Sequence, residues 1–281
     1  MWFLVFICLV TAVGGVPVHP TQEATDNVTS LLNVMMPAKS FGMVSVNHTQ
    51  NGTGPEAGTA TSMLEQQQTS AEELEDNQNV EEGDMLTLFQ EDRNAVQTVW
   101  SDAIMPYTIS DALADRKDNI LAAFKMISDV SCIRFVPHTA EFNVLNIEDG
   151  KGCASFVGCQ GGEQPLYYSS KCRVGNLCHE LIHALGLHHE HTREDRDEHI
   201  TVQWESIVPG KESNFKVQQG NTQNLPYDIN SIMHYGPYFF SQDGSQTVVP
   251  KQSGADMGQR THLSDLDIKR LNKLYHCDDR M

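Results

Sequence analysis

Three histidines and a glutamate lie close together between His179 and Glu190, and their types and spacing suit a metal site with an acid–base group beside it. In an α-helix, residues four apart share a face, so His179 and His183 present their imidazoles to one point. Glu180 lies about 100° round the helix from His179, where its carboxylate flanks the metal without binding it. These residues predict metal-assisted hydrolysis with Glu180 as general base.

The third ligand is predicted to be His189. Gly186 can end the helix in a left-handed conformation, and the chain then turns back toward the metal. Three protein ligands leave one coordination position open, which is typical of catalytic zinc. The alternatives are a histidine-rich helix that contains HExxH by coincidence, a structural zinc that needs a fourth protein ligand, or a thiolate ligand at Cys178.

The chain of 281 residues is predicted to have three parts. Residues 1–16 form an apolar run that is too short to cross a bilayer comfortably and reads as a secretory signal peptide. Residues 17–93 are polar and free of cysteine, which predicts a largely disordered propeptide. Residues 94–281 are predicted to be one globular domain. In the propeptide, three Asn-x-Thr sites predict N-glycosylation of Asn27, Asn47 and Asn51.

The net charge of −18 is concentrated in the first 93 residues, which hold thirteen acidic and two basic residues. No basic cluster indicates binding to nucleic acid or to an anionic membrane surface. No segment after the signal peptide is apolar enough to anchor the chain in a membrane.

The globular part shows the patterns of strands and helices. The strand predicted at Ala103–Ile109 contains Pro106, which suggests an edge position. The other predicted elements are a helix within Asp111–Val130, strands at CIRFV and FNVLNI, the histidine-bearing helix, a loop-rich region over 190–253, and a C-terminal helix with Ser264 as N-cap and Asp267 three residues on.

A second motif, Ser231-Ile232-Met233-His234-Tyr235, follows the histidine segment. Together with HELIHALGLHHEHTREDRD from His179, CIRF at Cys132, GCAS at Gly152 and LYHC at Leu274, it resembles the astacin family of zinc endopeptidases, within the metzincins. The resemblance covers about residues 94–279.

The resemblance implies an α+β, two-lobed catalytic domain. Its N-terminal lobe would hold a mixed twisted sheet and helices, and its mostly irregular C-terminal lobe would end in a helix. One zinc ion per subunit would be bound by the three histidines, with Tyr235 as a further, detachable ligand whose phenol hydrogen-bonds the oxyanion of the reaction intermediate. Met233 would form a turn packed beneath the metal. Extended substrate would add as a strand to the edge of the sheet.

Six cysteines lie in the predicted domain, and an even number in a secreted chain predicts disulfides, although spacing alone leaves the pairing open. The resemblance implies the pairs Cys132–Cys277 and Cys153–Cys172. Cys159 and Cys178 remain, and we expect them to form a third bridge. Some fish members of the family, hatching enzymes included, carry six cysteines.

Residues 1–93, which we call the leader, are predicted to keep the enzyme inactive. Its only cysteine lies in the signal peptide, so a thiolate block of the metal is excluded. Astacin propeptides resemble FxGD, and Glu81-Glu82-Gly83-Asp84 matches this except for the aromatic residue. The resemblance implies that Asp84 ligates zinc in the precursor; the alternative is one more solvated acid in an acidic run.

Activation is predicted to occur between Arg93 and Asn94, where a trypsin-like protease would cut. The family pattern implies that the new amino terminus is buried beside Glu190, because a buried ammonium needs a carboxylate partner. The alternative is that Glu190 is a plain surface acid.

These observations predict a secreted, extracellular and monomeric zinc endopeptidase that is made as a zymogen and cleaves proteins or peptides. A catalytically idle zinc-binding protein, such as an adhesion or egg-surface component, is the competing class. The intact pair Glu180 and Tyr235 argues against it.

Overall fold

The computed structural model describes residues 80–87, 99–255 and 257–280. The predicted signal peptide, the three predicted glycosylation sites and the predicted cleavage site at Arg93 and Asn94 lie outside these residues, so they stay predictions. Most of the predicted propeptide also lies outside them, but the Glu81 to Asp84 segment is included.

The described residues form a mixed α+β structure, which confirms the predicted class. The α-helices are α1 (Lys117–Ser128), α2 (Val174–Ala184) and α3 (Asp265–Leu274). The strands are β1 (Val80–Glu81), β2 (Met85–Leu86), β3 (Ile104–Ile109), β4 (Arg134–Pro137), β5 (Val144–Glu148), β6 (Cys153–Ser155), β7 (Glu163–Tyr168), β8 (Ile200–Val202) and β9 (Val248–Pro250). No helix in these ranges is long and apolar enough to cross a membrane.

Seven strands form one sheet in the order β1-β2-β6-β7-β5-β3-β4. The pairings of β3 with β4, β3 with β5, β5 with β7 and β2 with β6 are parallel, whereas β6 pairs antiparallel with β7. β1 and β2 come from the leader and form an antiparallel hairpin. The leader hairpin therefore covers β6, the strand at which the domain's own sheet would otherwise end.

Pro106 does not lie on an edge strand, so that expectation was wrong. β3 is flanked by β4 and β5. The pairing with β5 begins at Tyr107, whereas Pro106 is opposed only by Val136 of β4. Proline is tolerated at this position because no residue of β5 needs the missing N–H group.

Amphipathic spacing explains α1, and a capping box explains where α3 begins. Ile120, Ala123, Phe124 and Ile127 are buried on one side of α1, and a short 3-10 segment occupies the first part of the predicted helix. Helix α3 begins with the predicted capping box: the Ser264 hydroxyl accepts from the Asp267 amide, and the Asp267 carboxylate accepts from the Ser264 amide.

The buried hydrophobic residues form two clusters. The first joins the sheet to α1 and α2 and includes Met233 and Leu271. The second is built from residues 200–257 around Phe215, Tyr235 and Phe240. The segment that carries Met233 and Tyr235 thus contributes to both clusters, which places it between them.

Both disulfides that the family resemblance implies are formed. Cys132 pairs with Cys277 across a sequence separation of 145, and Cys153 pairs with Cys172 across a separation of 19. The first bridge ties the segment after α3 to the segment after α1. The second ties β6 to the loop before α2.

The predicted third bridge between Cys159 and Cys178 was wrong, because neither buried side chain is in a disulfide. The two thiols lie in different electrostatic surroundings, because Cys178 is influenced by the Asp267 carboxylate and Cys159 is close enough to influence the Tyr275 phenol. Burial raises the pKa of both thiols, and the Asp267 carboxylate raises that of Cys178 further. Cys178 does not belong to the cluster of ligand atoms formed by Asp84, His179, His183 and His189, so the structure does not support the alternative of a thiolate ligand.

The start of α2 depends on Gly175. A Cβ atom there would lie 1.7 Å from the carbonyl oxygen of Arg260. We expect Gly175→Ala to lower the free energy of unfolding by about 3 kcal/mol or more, because rigid backbone must move. Gly220→Ala is the matched control, since a Cβ there meets nothing within 4 Å. Urea unfolding of both variants checks this, and equal stability would contradict it.

Candidate metal centre and active site

Helix α2 carries His179, Glu180 and His183, and all three side chains are buried. The helix is held at its C-terminal end by Trp100, whose indole N–H donates to the Ala184 carbonyl at 2.8 Å. The predicted turn follows, with a φ of 114° at Gly186. This turn returns the chain so that His189 faces the helix, as the spacing predicted.

The three imidazoles converge through their Nε2 atoms. Nε2 of His189 lies 3.2 Å from Nε2 of His179 and 3.2 Å from Nε2 of His183. On the other side of the rings, His179 Nδ1 donates to the Ile232 carbonyl at 2.8 Å, and His183 Nδ1 donates to the Leu187 carbonyl at 2.7 Å. A carbonyl oxygen only accepts, so each of these Nδ1 atoms carries the hydrogen and each Nε2 offers a lone pair.

Asp84 of the leader closes this cluster. Its Oδ2 lies 3.2 Å from His179 Nε2, and its Oδ1 lies 3.1 Å from His189 Nε2 and 3.6 Å from His183 Nε2. Ligand atoms from the four residues all lie within 4.8 Å of one another. The structure therefore brings the predicted propeptide carboxylate to the three predicted histidines.

The chemistry of this donor set fits a divalent cation. Lone pairs from nitrogen and oxygen that face one another repel unless a positive charge lies between them, and Asp84 Oδ1 is buried without a hydrogen bond. Burial lowers the pKa values of His179 and His183, which keeps them neutral. Burial acts likewise on His189, but the Asp84 and Glu82 carboxylates outweigh it and raise its pKa to about 9, so a cation would displace a proton there. Three histidines and one carboxylate form a donor set suited to zinc.

Glu180 lies beside the cluster without belonging to it. Its Oε2 is buried and accepts no hydrogen bond from the described residues. Burial raises the pKa of Glu180 well above its usual value, the Asp84 carboxylate raises it further, and the Arg260 guanidinium opposes the shift. An acceptor in this position suits a group that exchanges protons with a reactant.

The segment Ser231 to Tyr235 is hydrogen-bonded both to α3 and to the ligand His179. The Asp267 carboxylate at the start of α3 accepts from the Ser231 hydroxyl at 2.5 Å and from the Ile232 amide at 2.9 Å. The Ile232 carbonyl is the group that accepts from His179. Met233 is buried, and its carbonyl accepts from the Glu190 amide at 3.0 Å. This turn therefore links α3 to the ligand helix.

Tyr235 is directed at the leader. Its hydroxyl donates to the Glu82 carbonyl at 2.6 Å, and its ring stacks on His191 with a centroid distance of 3.6 Å. The phenol is thus close to the histidine cluster, with ring centroids 5.0 Å apart between Tyr235 and His189. Its predicted role as a detachable ligand stays a prediction.

Glu190 is not a surface acid. It is 3% exposed, and its carboxylate accepts from Arg270 at 2.5 and 2.7 Å, from Arg193 at 3.2 Å and from the Asp228 amide at 2.6 Å. It also lines a cavity of about 570 Å³ that reaches the leader residues Glu81, Glu82 and Met85. Burial raises the pKa of Glu190, and the two guanidinium groups oppose this shift.

Sequence reasoning missed three residues near the centre: Glu82, Arg260 and Arg270. A signal existed for Arg270, because Asp267, Arg270 and Leu271 are the buried positions of α3, and two charges on the buried face of a helix indicate polar partners inside. For Glu82 the motif match considered only the glycine and the aspartate. Arg260 lies in a loop-like stretch whose partners no spacing reveals.

Comparisons with known proteins give the family. The model of the family described as Astacin (Peptidase family M12A) matches residues 92–276. Over 196 residues, which are 66% of this chain and 62% of the relative, the sequence is 40% identical to zinc metalloproteinase nas-4 of Caenorhabditis elegans. It is also 40% identical over 177 residues to the low choriolytic enzyme of Oryzias latipes, which is 62% of this chain and 65% of that protein.

A solved structure agrees with these matches. High choriolytic enzyme 1, a hatching enzyme zinc-protease from Oryzias latipes, superposes with a TM-score of 0.62 at 34% identity, covering 69% of this chain and 100% of that chain. The matches span 62%, 33% and 38% of the lengths of three nematode relatives, nas-4, nas-15 and nas-14. Since the family model covers more than half of the chain, the protein belongs to the astacin family of zinc metallopeptidases, peptidase family M12A.

Proposed function

We propose that the chain is a secreted, extracellular zinc endopeptidase that is made as a zymogen, is activated by a trypsin-like protease at Arg93, and acts as a monomer on protein or peptide substrates. The observation that carries this proposal is the meeting of three histidine Nε2 atoms, one leader carboxylate and the neighbouring Glu180. An idle zinc-binding protein has no use for a buried carboxylate beside its metal whose Oε2 accepts no hydrogen bond from the described residues.

In the proposed reaction, His179, His183 and His189 hold the metal. Zinc supplies Lewis-acid chemistry there, because it lowers the pKa of water toward neutrality and polarises a carbonyl. Glu180 takes a proton from the attacking water and delivers it to the nitrogen of the leaving amine. Its exposed fraction of 2% keeps the carboxylate out of bulk solvent, where its basicity would fall.

Tyr235 is proposed to stabilise the oxyanion. Its hydroxyl is engaged by the Glu82 carbonyl in the precursor. Departure of the leader frees this donor, which can then turn toward the developing charge on the substrate oxygen or toward the metal as the detachable ligand. The His191 ring, stacked on the phenol ring, limits the directions in which that movement can occur.

Latency is proposed to have two components. Asp84 occupies the metal-facing position, where a substrate carbonyl or water would bind. The leader strand β2 pairs with β6 through Met85 and Ser155, and the Ser155 amide donates to the Asp84 carbonyl at 2.9 Å. An extended substrate that adds to this edge would compete for the same backbone groups.

After cleavage, the new amino terminus at Asn94 is proposed to enter the cavity beside Glu190. Among the described residues, Glu190 Oε2 accepts a single hydrogen bond, from Arg270, whereas Oε1 accepts three. A carboxylate has about four lone-pair sites in total, with two on each oxygen. Oε2 can therefore take one further donor such as an ammonium group.

Glu180→Gln should reduce caseinolysis by the processed enzyme about 10²- to 10⁴-fold, because the amide cannot accept a proton in the reaction. Zinc content, measured by atomic absorption, should stay unchanged because Glu180 is not in the ligand cluster. A zinc chelator should abolish the activity of the unsubstituted enzyme. Glu148→Gln, at an exposed position, is the control. Undiminished activity of the Glu180 variant would rule out the proposed mechanism.

Asp84→Ala should release activity in a precursor that cannot be cut. In an Arg93→Gln background, the substitution removes the carboxylate that faces the three histidines, and we expect caseinolysis to rise about tenfold or more, since each 1.4 kcal/mol of lost inhibition is tenfold. Glu81→Gln in the same background removes a nearby charge and should stay latent. An Asp84→Ala precursor as silent as its parent would refute the proposed block.

The length of the amino terminus should affect stability. An enzyme that begins at Arg93 instead of Asn94 should lose about 1.5–3 kcal/mol, because an ammonium–carboxylate hydrogen bond of that order is displaced. Differential scanning calorimetry measures the shift in Tm. In a Glu190→Gln background, the difference between the two forms should shrink, as a double-mutant cycle requires. Equal stability of both forms with Glu190 intact would exclude the coupling.

A further inference from the structure

We propose that Glu82 is a positioning residue of the zinc site, and that its carboxylate makes the precursor bind zinc more tightly than it would with Asp84 alone. The inference rests on the proposed function, because it takes the leader as the inhibitory segment of a zinc enzyme. Beyond that function, it assigns a role to a second leader carboxylate, which contacts His189 Nδ1 and not the Nε2 atoms that face the metal.

The three ligand rings are oriented by different parts of the chain. The Nδ1 atoms of His179 and His183 donate to carbonyls of the catalytic domain itself. His189 Nδ1 instead donates to Glu82 Oε2 at 2.9 Å. The partner of the third ring therefore belongs to the segment that cleavage at Arg93 would separate from the domain.

The Glu82 carboxylate is fixed in place. The residue is 4% exposed, and the Thr192 hydroxyl lies 3.5 Å from the same Oε2. Thr192 also donates to the His189 carbonyl at 3.1 Å, so ring, hydroxyl and carboxylate form one local cluster. A buried carboxylate needs hydrogen-bond donors that replace the water it has lost, and the His189 ring supplies one to Glu82.

The backbone of Glu82 supports the same reading. Its φ is +48°, in the left-handed region that residues other than glycine rarely adopt. Such a conformation persists where surrounding contacts determine it. Glu82 makes two such contacts: its carboxylate accepts from His189 Nδ1, and its carbonyl accepts from the Tyr235 hydroxyl at 2.6 Å.

The two leader acids thus perform different tasks. Asp84 faces Nε2 atoms and takes up ligand space, whereas Glu82 faces Nδ1 of His189 from behind. A carboxylate behind a ligating histidine fixes the tautomer and ring orientation and makes the ring a stronger donor to the metal. Loss of such a partner typically weakens metal binding about 10- to 100-fold.

The test measures zinc affinity in the intact precursor, with Arg93→Gln to prevent cutting. Each protein is titrated with zinc against a competing chelator at one pH. We expect Glu82→Ala to raise the zinc Kd about 10- to 100-fold, and Glu82→Gln to raise it less, because the amide oxygen still accepts from Nδ1. Glu81→Gln, one residue earlier, removes the same charge and should leave the Kd at the parent value.

An unchanged Kd in Glu82→Ala overturns the inference. If circular dichroism shows that Glu82→Ala does not fold, Glu82→Gln decides: a zinc Kd above that of the parent supports the inference, and an unchanged Kd refutes it. With Arg93 retained, processing of all three variants yields the same domain, whose Kd must then be identical and higher than that of the precursor.

Failure of the inference and failure of the proposed function are distinguishable. The latency of the Asp84→Ala precursor tests the block itself. A raised Kd in Glu82→Ala beside a still silent Asp84→Ala would leave the inference standing and remove the inhibitory role of the aspartate. An unchanged Kd beside an active Asp84→Ala would do the reverse.

Discussion

The site depends on where three imidazole rings place their hydrogens. Each Nδ1 must donate to a fixed acceptor so that each Nε2 points a lone pair at the same place. Two of those acceptors are backbone carbonyls, and backbone carbonyls move only when the chain moves. The position of Ile232, in the turn, and of Leu187, after Gly186, is therefore as much a part of the metal centre as the histidines are.

This requirement explains why the C-terminal helix carries buried charges. Asp267 accepts from the Ser231 hydroxyl and the Ile232 amide, and so fixes the position of the Ile232 carbonyl that orients His179. Arg270, one turn further along α3, pairs with Glu190, which directly follows the third ligand. A helix far from the ligands in sequence thus fixes both the turn that orients His179 and the residue that directly follows His189. Replacing either charge by a single neutral group would leave its partner buried and unpaired.

Sequence reasoning reached the parts of the site that lie on one element or in one motif. His179, Glu180 and His183 follow from helical spacing, and Gly186 from its backbone freedom. Arg260 and Glu82 could not be found in this way, because their roles come from contacts over long sequence separations. The Cys159–Cys178 bridge failed for a related reason: two cysteines that remain after the other pairs are assigned need not lie close enough to bond in a core whose side chains are set by packing.

The leader hairpin makes three kinds of contact that a single ligand could not make. Through Asp84 it meets the histidines, through Glu82 it meets His189 and Tyr235, and through β2 it meets the edge of β6. Under the proposed latency, removal of these few consecutive residues would make the metal face, the Tyr235 hydroxyl and the edge of β6 available in one event.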